Sequence, residues 1–137
     1  MFKIRPTQAD ILADEDFVRR AIAYLHDRLP KPVEAMQPPD LSALVRHTME
    51  VARSYELVSE RGLMNFLLDM LGVGPCFHLE PHINAVLGRI DLSEDERLDR
   101  LVEDVDDDAW VAAGQLIDPA TYWDQAIAET RNRSEPP

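Results

Sequence analysis

Hydrophobic side chains recur every three or four residues along most of the chain, which is the spacing of one face of an α-helix. The first such run ends at Leu29, because Pro30 and Pro32 lack the amide hydrogen that a helix interior requires. No segment shows the sustained alternation or the hairpin turns that are typical of β-strands. The pattern therefore predicts an all-α fold, organised as a single compact domain of five to seven helices.

Capping residues predict where the later helices begin. Side chains that can accept a hydrogen bond from the first helical turn precede four apolar runs, and proline stands at two expected helix starts. The predicted starts are Asp40, Ser59, Pro81, Ser93 with its capping-box partner Glu96, and Asp118 followed by Pro119. Residues 30–40 contain four prolines and are predicted to form an extended connector.

The same pattern predicts several helix ends and buried positions. Gly72 is expected to end the third helix in the left-handed conformation, and Val58 is expected to pack on Leu63 as a hydrophobic staple. Ile90 and Val102 are expected on buried helix faces. The predicted domain covers residues 1–130, and residues 131–137 are predicted to form a flexible C-terminal tail.

Charge separates the chain into two parts. The 137 residues include 26 acidic and 14 basic side chains, for a net charge of −12. Ten of the acids lie within residues 91–108, whereas residues 1–90 are nearly neutral. This composition argues against nucleic acid and against an anionic membrane as partners, because both are bound through clustered Lys and Arg.

The acidic segment predicts a docking surface for a protein partner. Concentrated charge accelerates the encounter with a basic surface, and a large aromatic residue beside it can act as an anchor. The alternative is a solvated helix end with no binding role. The candidate partner-binding residues are Glu103, Asp104, Asp106, Asp107, Asp108 and Trp110.

The expected compartment is the cytoplasm. A single cysteine, Cys76, suits a reducing environment because it cannot form an internal disulfide. The first residues lack the apolar stretch of a secretory signal, and no window of 18 apolar residues predicts a membrane span.

One segment contains residue types that could carry chemistry. Cys76, His78 and His82 could bind zinc or support a small cysteine enzyme, although their spacing matches no established zinc finger and Pro81 restricts the loop. A loop with Cys76 packed inward is the competing interpretation. No calcium loop, nucleophile elbow or phosphate-binding loop is found, so no catalytic residue, metal or cofactor is predicted.

A series of motifs gives the chain a family resemblance. The motifs are Arg46-His47, Glu50-x-x-Arg53-x-Tyr55, Glu60-Arg61, Phe66 to Met70, Gly72, and Glu96-Arg97-Leu98-Asp99. Through these motifs, residues 15–101 resemble a family of small helical bacterial proteins that are encoded beside type VI secretion spike proteins, effectors and effector adaptors. The chain departs from the family pattern at Glu56, where a glycine is usual, and at residues 74–78, where an acidic loop is usual.

The resemblance implies a cytoplasmic accessory of toxin loading or protection and does not name a reaction. The leading hypothesis is a non-enzymatic adaptor or chaperone of a secreted effector or spike. The alternative is an immunity protein that neutralises a cognate toxin, because a small acidic domain can mimic the phosphate charge that a basic nuclease recognises. A metal-dependent or cysteine enzyme at Cys76, His78 and His82 is the third possibility.

Overall fold

The computed structural model describes the backbone of residues 8–134 and the side chains of residues 12–31 and 33–133. This part of the chain forms eight α-helices and one 3-10 turn and contains no β-strand. The helices are α1 (Gln8–Arg28), α2 (Pro30–Glu34), α3 (Pro38–Ser54), α4 (Glu60–Gly72), α5 (Pro81–Leu87), α6 (Glu94–Glu103), α7 (Asp107–Ala113) and α8 (Pro119–Ser134), and the 3-10 turn is Phe77–Leu79.

The all-α prediction is confirmed. The predicted range of five to seven helices also holds once α2, a short helix of five residues, is set apart from the seven described helices that have seven residues or more. Helix α3 lies at the centre, because α1, α4 and α8 all pack against it. Its Leu44, Val45 and Ala52 are buried in the common core. Helices α5 and α7 contact the 3-10 turn, and α6 packs on α4 and α5.

The predicted caps at three helix starts are confirmed. Ser59 Oγ accepts from the Gly62 amide at 3.0 Å, and Ser93 Oγ accepts from the Glu96 amide at 3.1 Å. At the start of α8, the Asp118 carboxylate accepts from the Thr121 amide at 3.0 Å. These contacts form because each side chain reaches an amide of the first turn that has no partner within the helix.

The predicted connector is partly wrong. Residues 30–34 form α2, and α3 begins at Pro38 rather than after Asp40. The two prolines at the start of α3 occupy positions where a missing amide hydrogen costs nothing, so they extend the helix instead of delaying it. Asp40 therefore lies in the first turn, where its carboxylate is 3.0 Å from Arg131 Nη1 on α8.

Several predicted ends and buried positions are also wrong. Gly72 ends α4 without a positive φ, since the helix leads into a right-handed cap at Val73. Val58, Ile90 and Val102 are 68 %, 65 % and 81 % exposed, so the predicted staple and two predicted core contacts are absent. Helix α5 ends three residues before Ile90, and the buried face of α6 is the one that carries Leu98 and Leu101.

The C-terminal boundary predicted at residue 130 falls inside α8, which continues to Ser134. Arg131 contacts Asp40, and Arg133 Nη2 lies 3.0 Å from a Glu50 carboxylate oxygen. Both arginines thus contact α3 from the end of α8, within the segment that the sequence predicts as a tail. Residues 135–137 lie outside the described part of the chain.

Candidate functional site

The six predicted partner-binding residues lie at the corner where α6 leads into α7. Glu103 is the last residue of α6, and Asp107 and Asp108 form the first turn of α7. All five predicted acids are exposed, whereas Trp110 is half-buried. We call the acids from Glu103 to Asp108 the acidic corner.

One of these acids caps a helix, and another makes an exposed ion pair. The Asp106 carboxylate caps α7, because it accepts a hydrogen bond from the Ala109 amide at 2.9 Å. Asp104 follows the last residue of α6, and its carboxylate lies 3.8 Å from Arg100 Nη1. Substituting Asp106 would therefore fray α7 as well as remove charge, which makes it a poor test of binding.

Apolar side chains flank the acidic corner. Trp110 stacks on buried Phe77, with ring centroids 6.2 Å apart and planes inclined by 13°. Val102 on α6 and Val111 on α7 are 81 % and 61 % exposed. The same edge of the molecule thus combines negative charge with apolar contact surface, which is a feature of protein-binding sites.

A groove that the sequence did not predict runs along α4 beneath this edge. It has a wider part of about 580 Å³ next to α7 and a narrower part of about 200 Å³ next to α6. Asp69 and Trp110 line both parts. We call it the α4 groove, and its principal lining residues are Asn65, Asp69 and Gly72 of α4, Val102 of α6, and Trp110 and Val111 of α7.

Asp69 has an unusual environment in this groove. Within the described residues, no hydrogen-bond donor or cation contacts its carboxylate, and burial alone raises its pKa to about 7. The arginine of α4 contacts other carboxylates, since Arg61 Nη1 lies 2.6 Å from Asp95 and Nη2 lies 3.6 Å from Asp99. Carboxyl groups with such shifts are concentrated at functional sites.

The sequence contains a signal for this site. Arg61, Asn65, Asp69 and Gly72 recur at intervals of three or four residues within an otherwise apolar run. That spacing marks a polar stripe along one face of α4. What the spacing could not indicate is that α6 and α7 flank the stripe and partly bury Asp69.

The candidate metal or enzyme residues are held apart by different contacts. His78 is buried, its Nδ1 lies 2.8 Å from the Tyr55 hydroxyl, and burial lowers its pKa to about 4. His82 is exposed and its Nδ1 lies 2.8 Å from Glu80 Oε1. Burial raises the pKa of Cys76, which disfavours the reactive thiolate.

In the part of the chain that the structure describes, no group of three or more His, Cys, Asp or Glu side chains could hold a metal ion. The described residues therefore give the metal-site hypothesis no geometric support. The exposed acids and the α4 groove are the more informative features.

Comparisons of this chain with protein-family models, with curated proteins and with solved structures find no match. Among the helices between Gln8 and Ser134, none is long and apolar enough to cross a membrane.

Proposed function

We propose that the protein is a non-enzymatic adaptor or chaperone that binds a type VI secretion effector or spike in the cytoplasm. The observation that carries the proposal is the coincidence of exposed acids and exposed apolar side chains on the α6–α7 edge. The family resemblance of residues 15–101 supplies the secretion setting.

Physical considerations support a basic partner surface. The acidic corner attracts positive charge over about 8–10 Å at physiological ionic strength, which accelerates encounter. Val102, Val111 and the exposed part of Trp110 offer the apolar contact that then slows dissociation. For such a site we expect capture of the partner to weaken as the salt concentration increases, but to persist at high salt because of the apolar contacts.

The test is co-purification with the effector and spike encoded beside this gene, at low and high salt. Reversal of four acids to lysine, at Glu103, Asp104, Asp107 and Asp108, should reduce capture at least tenfold and flatten its salt dependence. Asp106 stays unchanged because it caps α7.

A matched control variant has the same change in net charge but places it outside the acidic corner. It reverses four exposed acids on other helices, namely Glu15, Asp27, Glu34 and Asp124. Equal loss of capture in both variants would mean that net charge, and not the acidic corner, controls binding. Failure of the native protein to capture either neighbour would overturn the proposal.

The concentration of acid in residues 91–108 favours a second candidate, an immunity protein that covers the active site of a basic toxin. Deletion of this gene alone separates the two functions. Loss of effector secretion from healthy cells supports the adaptor or chaperone. Self-intoxication that is relieved by deleting the toxin gene supports immunity.

A further inference from the structure

We propose that the α4 groove binds an arginine side chain of the protein partner, with Asp69 as the group that pairs with the guanidinium. This inference rests on the proposed function, because it supplies the anchor within the same interface. Three features of the groove carry it, namely its carboxylate, its aromatic wall and its charged rim.

The carboxylate is available for a cation. Asp69 lines both parts of the groove, and none of the described donors satisfies it. A partly buried carboxylate without a donor is unfavourable, and a charge-assisted hydrogen bond from an incoming group relieves that cost. Binding therefore gains most from a ligand that brings both positive charge and N–H donors.

The wall beside Asp69 suits the planar shape of a guanidinium. Trp110 lines the groove next to Asp69, and its own position is set by stacking on Phe77. Arginine stacks on aromatic faces and binds carboxylates through two parallel hydrogen bonds, whereas the lysine ammonium is more strongly hydrated. Val102 and Val111 can contact the methylene stem or its apolar neighbours.

The rim of the α4 groove carries negative charge, which is complementary to a guanidinium. Asp99 of α6 lines the narrower part, and the acidic corner joins α6 to α7. Arg61 is the one cation among the described lining residues of the groove, and its guanidinium is occupied by Asp95 and Asp99. The local field therefore attracts a basic segment and repels an acidic one.

Protonation of Asp69 should compete with arginine binding. The charged groups that face Asp69 are Arg61 on its own helix and Asp99 on α6, while the α7 wall contributes uncharged Trp110, Val111 and Gly114. Because burial raises the pKa of Asp69 to about 7, the carboxylate is largely protonated at pH 5.5 and ionised at pH 8. Affinity for arginine should rise about tenfold or more between these values.

The experiment uses the full chain and three short probes. The peptides are acetyl-Leu-Arg-Leu-amide, its citrulline analogue without the charge, and its lysine analogue. Carboxyl and indole NMR signals of Asp69 and Trp110 are followed during titration at pH 5.5 and pH 8. The arginine peptide should shift both signals, bind more tightly at pH 8, and bind at least fivefold more tightly than either analogue.

Two variants assign the effect to the groove. Asp69→Asn keeps the side-chain shape and should remove both the affinity for arginine and its pH dependence. Gly72→Leu should block the groove, because a Cβ at Gly72 has no described heavy atom within 4 Å and its backbone φ is not positive. Asp124→Asn on α8 is the control and should bind like the native protein.

Specific outcomes would overturn the inference. Equal binding of the arginine and citrulline peptides would exclude charge recognition, and equal binding of the lysine peptide would exclude a preference for guanidinium. Native-like binding by Asp69→Asn would exclude Asp69 as the pairing group. Thermal unfolding of each variant verifies that a loss of binding is not a loss of fold.

Co-purification separates this inference from the proposed function. If Asp69→Asn still captures the effector or spike as the native protein does, the arginine anchor is wrong and the adaptor function stands. If the native protein captures neither neighbour but binds the arginine peptide through Asp69, the groove is supported as an arginine site and the adaptor function fails.

Discussion

The Arg97 guanidinium donates a hydrogen bond of 2.6 Å from Nη1 to the backbone carbonyl of Tyr55. The same nitrogen donates to the Leu87 carbonyl at 2.9 Å, so one side chain of α6 joins the C-terminal ends of α3 and α5. Carbonyl groups at helix C-termini carry partial negative charge, so they are suitable acceptors for a guanidinium that is only 3 % exposed.

Replacement of Arg97 by methionine should destabilise the fold by about 3 kcal/mol, because buried carbonyls lose charge-assisted hydrogen bonds. Arg97 Nε is buried without a partner, so removing it offsets a small part of this loss. Urea unfolding measures the difference. Arg100→Met on the exposed face of the same helix should cost less than 1 kcal/mol, and an equal effect at both positions would contradict the junction role.

Glycine should be more stable than glutamate at the position after Tyr55. Glu56 has φ of 61° and is the one non-glycine residue in the described chain with positive φ, a conformation that costs a side-chain-bearing residue about 1 kcal/mol. Glu56→Gly should therefore raise the free energy of unfolding by roughly 0.5–1 kcal/mol, after the greater freedom of glycine in the unfolded chain is included.

Glu129→Gly in the right-handed helix α8 provides the comparison, and it should lower stability by about 1 kcal/mol. Opposite signs in chemical unfolding would support the conformational explanation. Two losses of similar size would contradict it.

The features that the sequence predicts correctly are those that depend on residues close together in the chain. Ser59, Ser93 and Asp118 contact amides of their own first turn, so a short stretch of sequence contains all the information for these caps. Val102 and Asp69 depend on other helices. Periodicity predicts that α6 and α4 each have an apolar face, but the packing of α6 and α7 leaves Val102 exposed and partly buries Asp69.

Close packing between the ends of α4 and α7 predicts opposite effects at two glycines. A Cβ on Gly114 would lie 2.7 Å from the Val73 carbonyl oxygen, so backbone atoms would have to move. Gly114→Ala should cost about 2 kcal/mol. Gly72→Ala should stabilise by roughly 0.5–1 kcal/mol, because alanine favours the helix and the space is open. Thermal unfolding compares them, and a loss at Gly72 would contradict the reasoning.

Burial of His78 should make the fold less stable in mild acid. The Asn84 amide donates to the Tyr55 hydroxyl, whose oxygen lies 2.8 Å from Nδ1 of neutral His78. Because the folded pKa of about 4 lies below the usual 6.5, the unfolded chain binds more protons between these values. His78 should therefore reduce the free energy of unfolding by up to about 3 kcal/mol as pH falls from 6.5 to 4.

His78→Asn can still accept from Tyr55 and should remove this part of the pH dependence, as measured by urea unfolding at pH 4, 5.5 and 7. His82 provides a control of opposite sign. The Glu80 carboxylate raises the pKa of His82, so its contribution to stability is lost as pH rises above the unfolded value. If the free energy of unfolding of His78→Asn depends on pH as strongly as that of the native protein, other groups cause the acid sensitivity.

Asp69 should affect the pH dependence of stability in the opposite direction to His78, because burial raises the pKa of Asp69 from 3.8 to about 7. The folded state binds the extra proton between these values, so the Asp69 contribution to stability is present at low pH and lost as pH rises through 7. Asp69→Asn cannot ionise. It should therefore be more stable than the native protein at pH 8 by about 2 kcal/mol, and this advantage should shrink below pH 5.

Urea unfolding at pH 4.5 and pH 8 measures the difference, with Asp124→Asn as the exposed control. An advantage of Asp69→Asn that is independent of pH would contradict the burial of an ionised carboxylate. The expected result has a functional consequence. Since ionised Asp69 lowers the stability of the free protein above pH 7, an arginine that pairs with it should recover that stability, and Asp69→Asn should abolish the stabilisation by the arginine peptide.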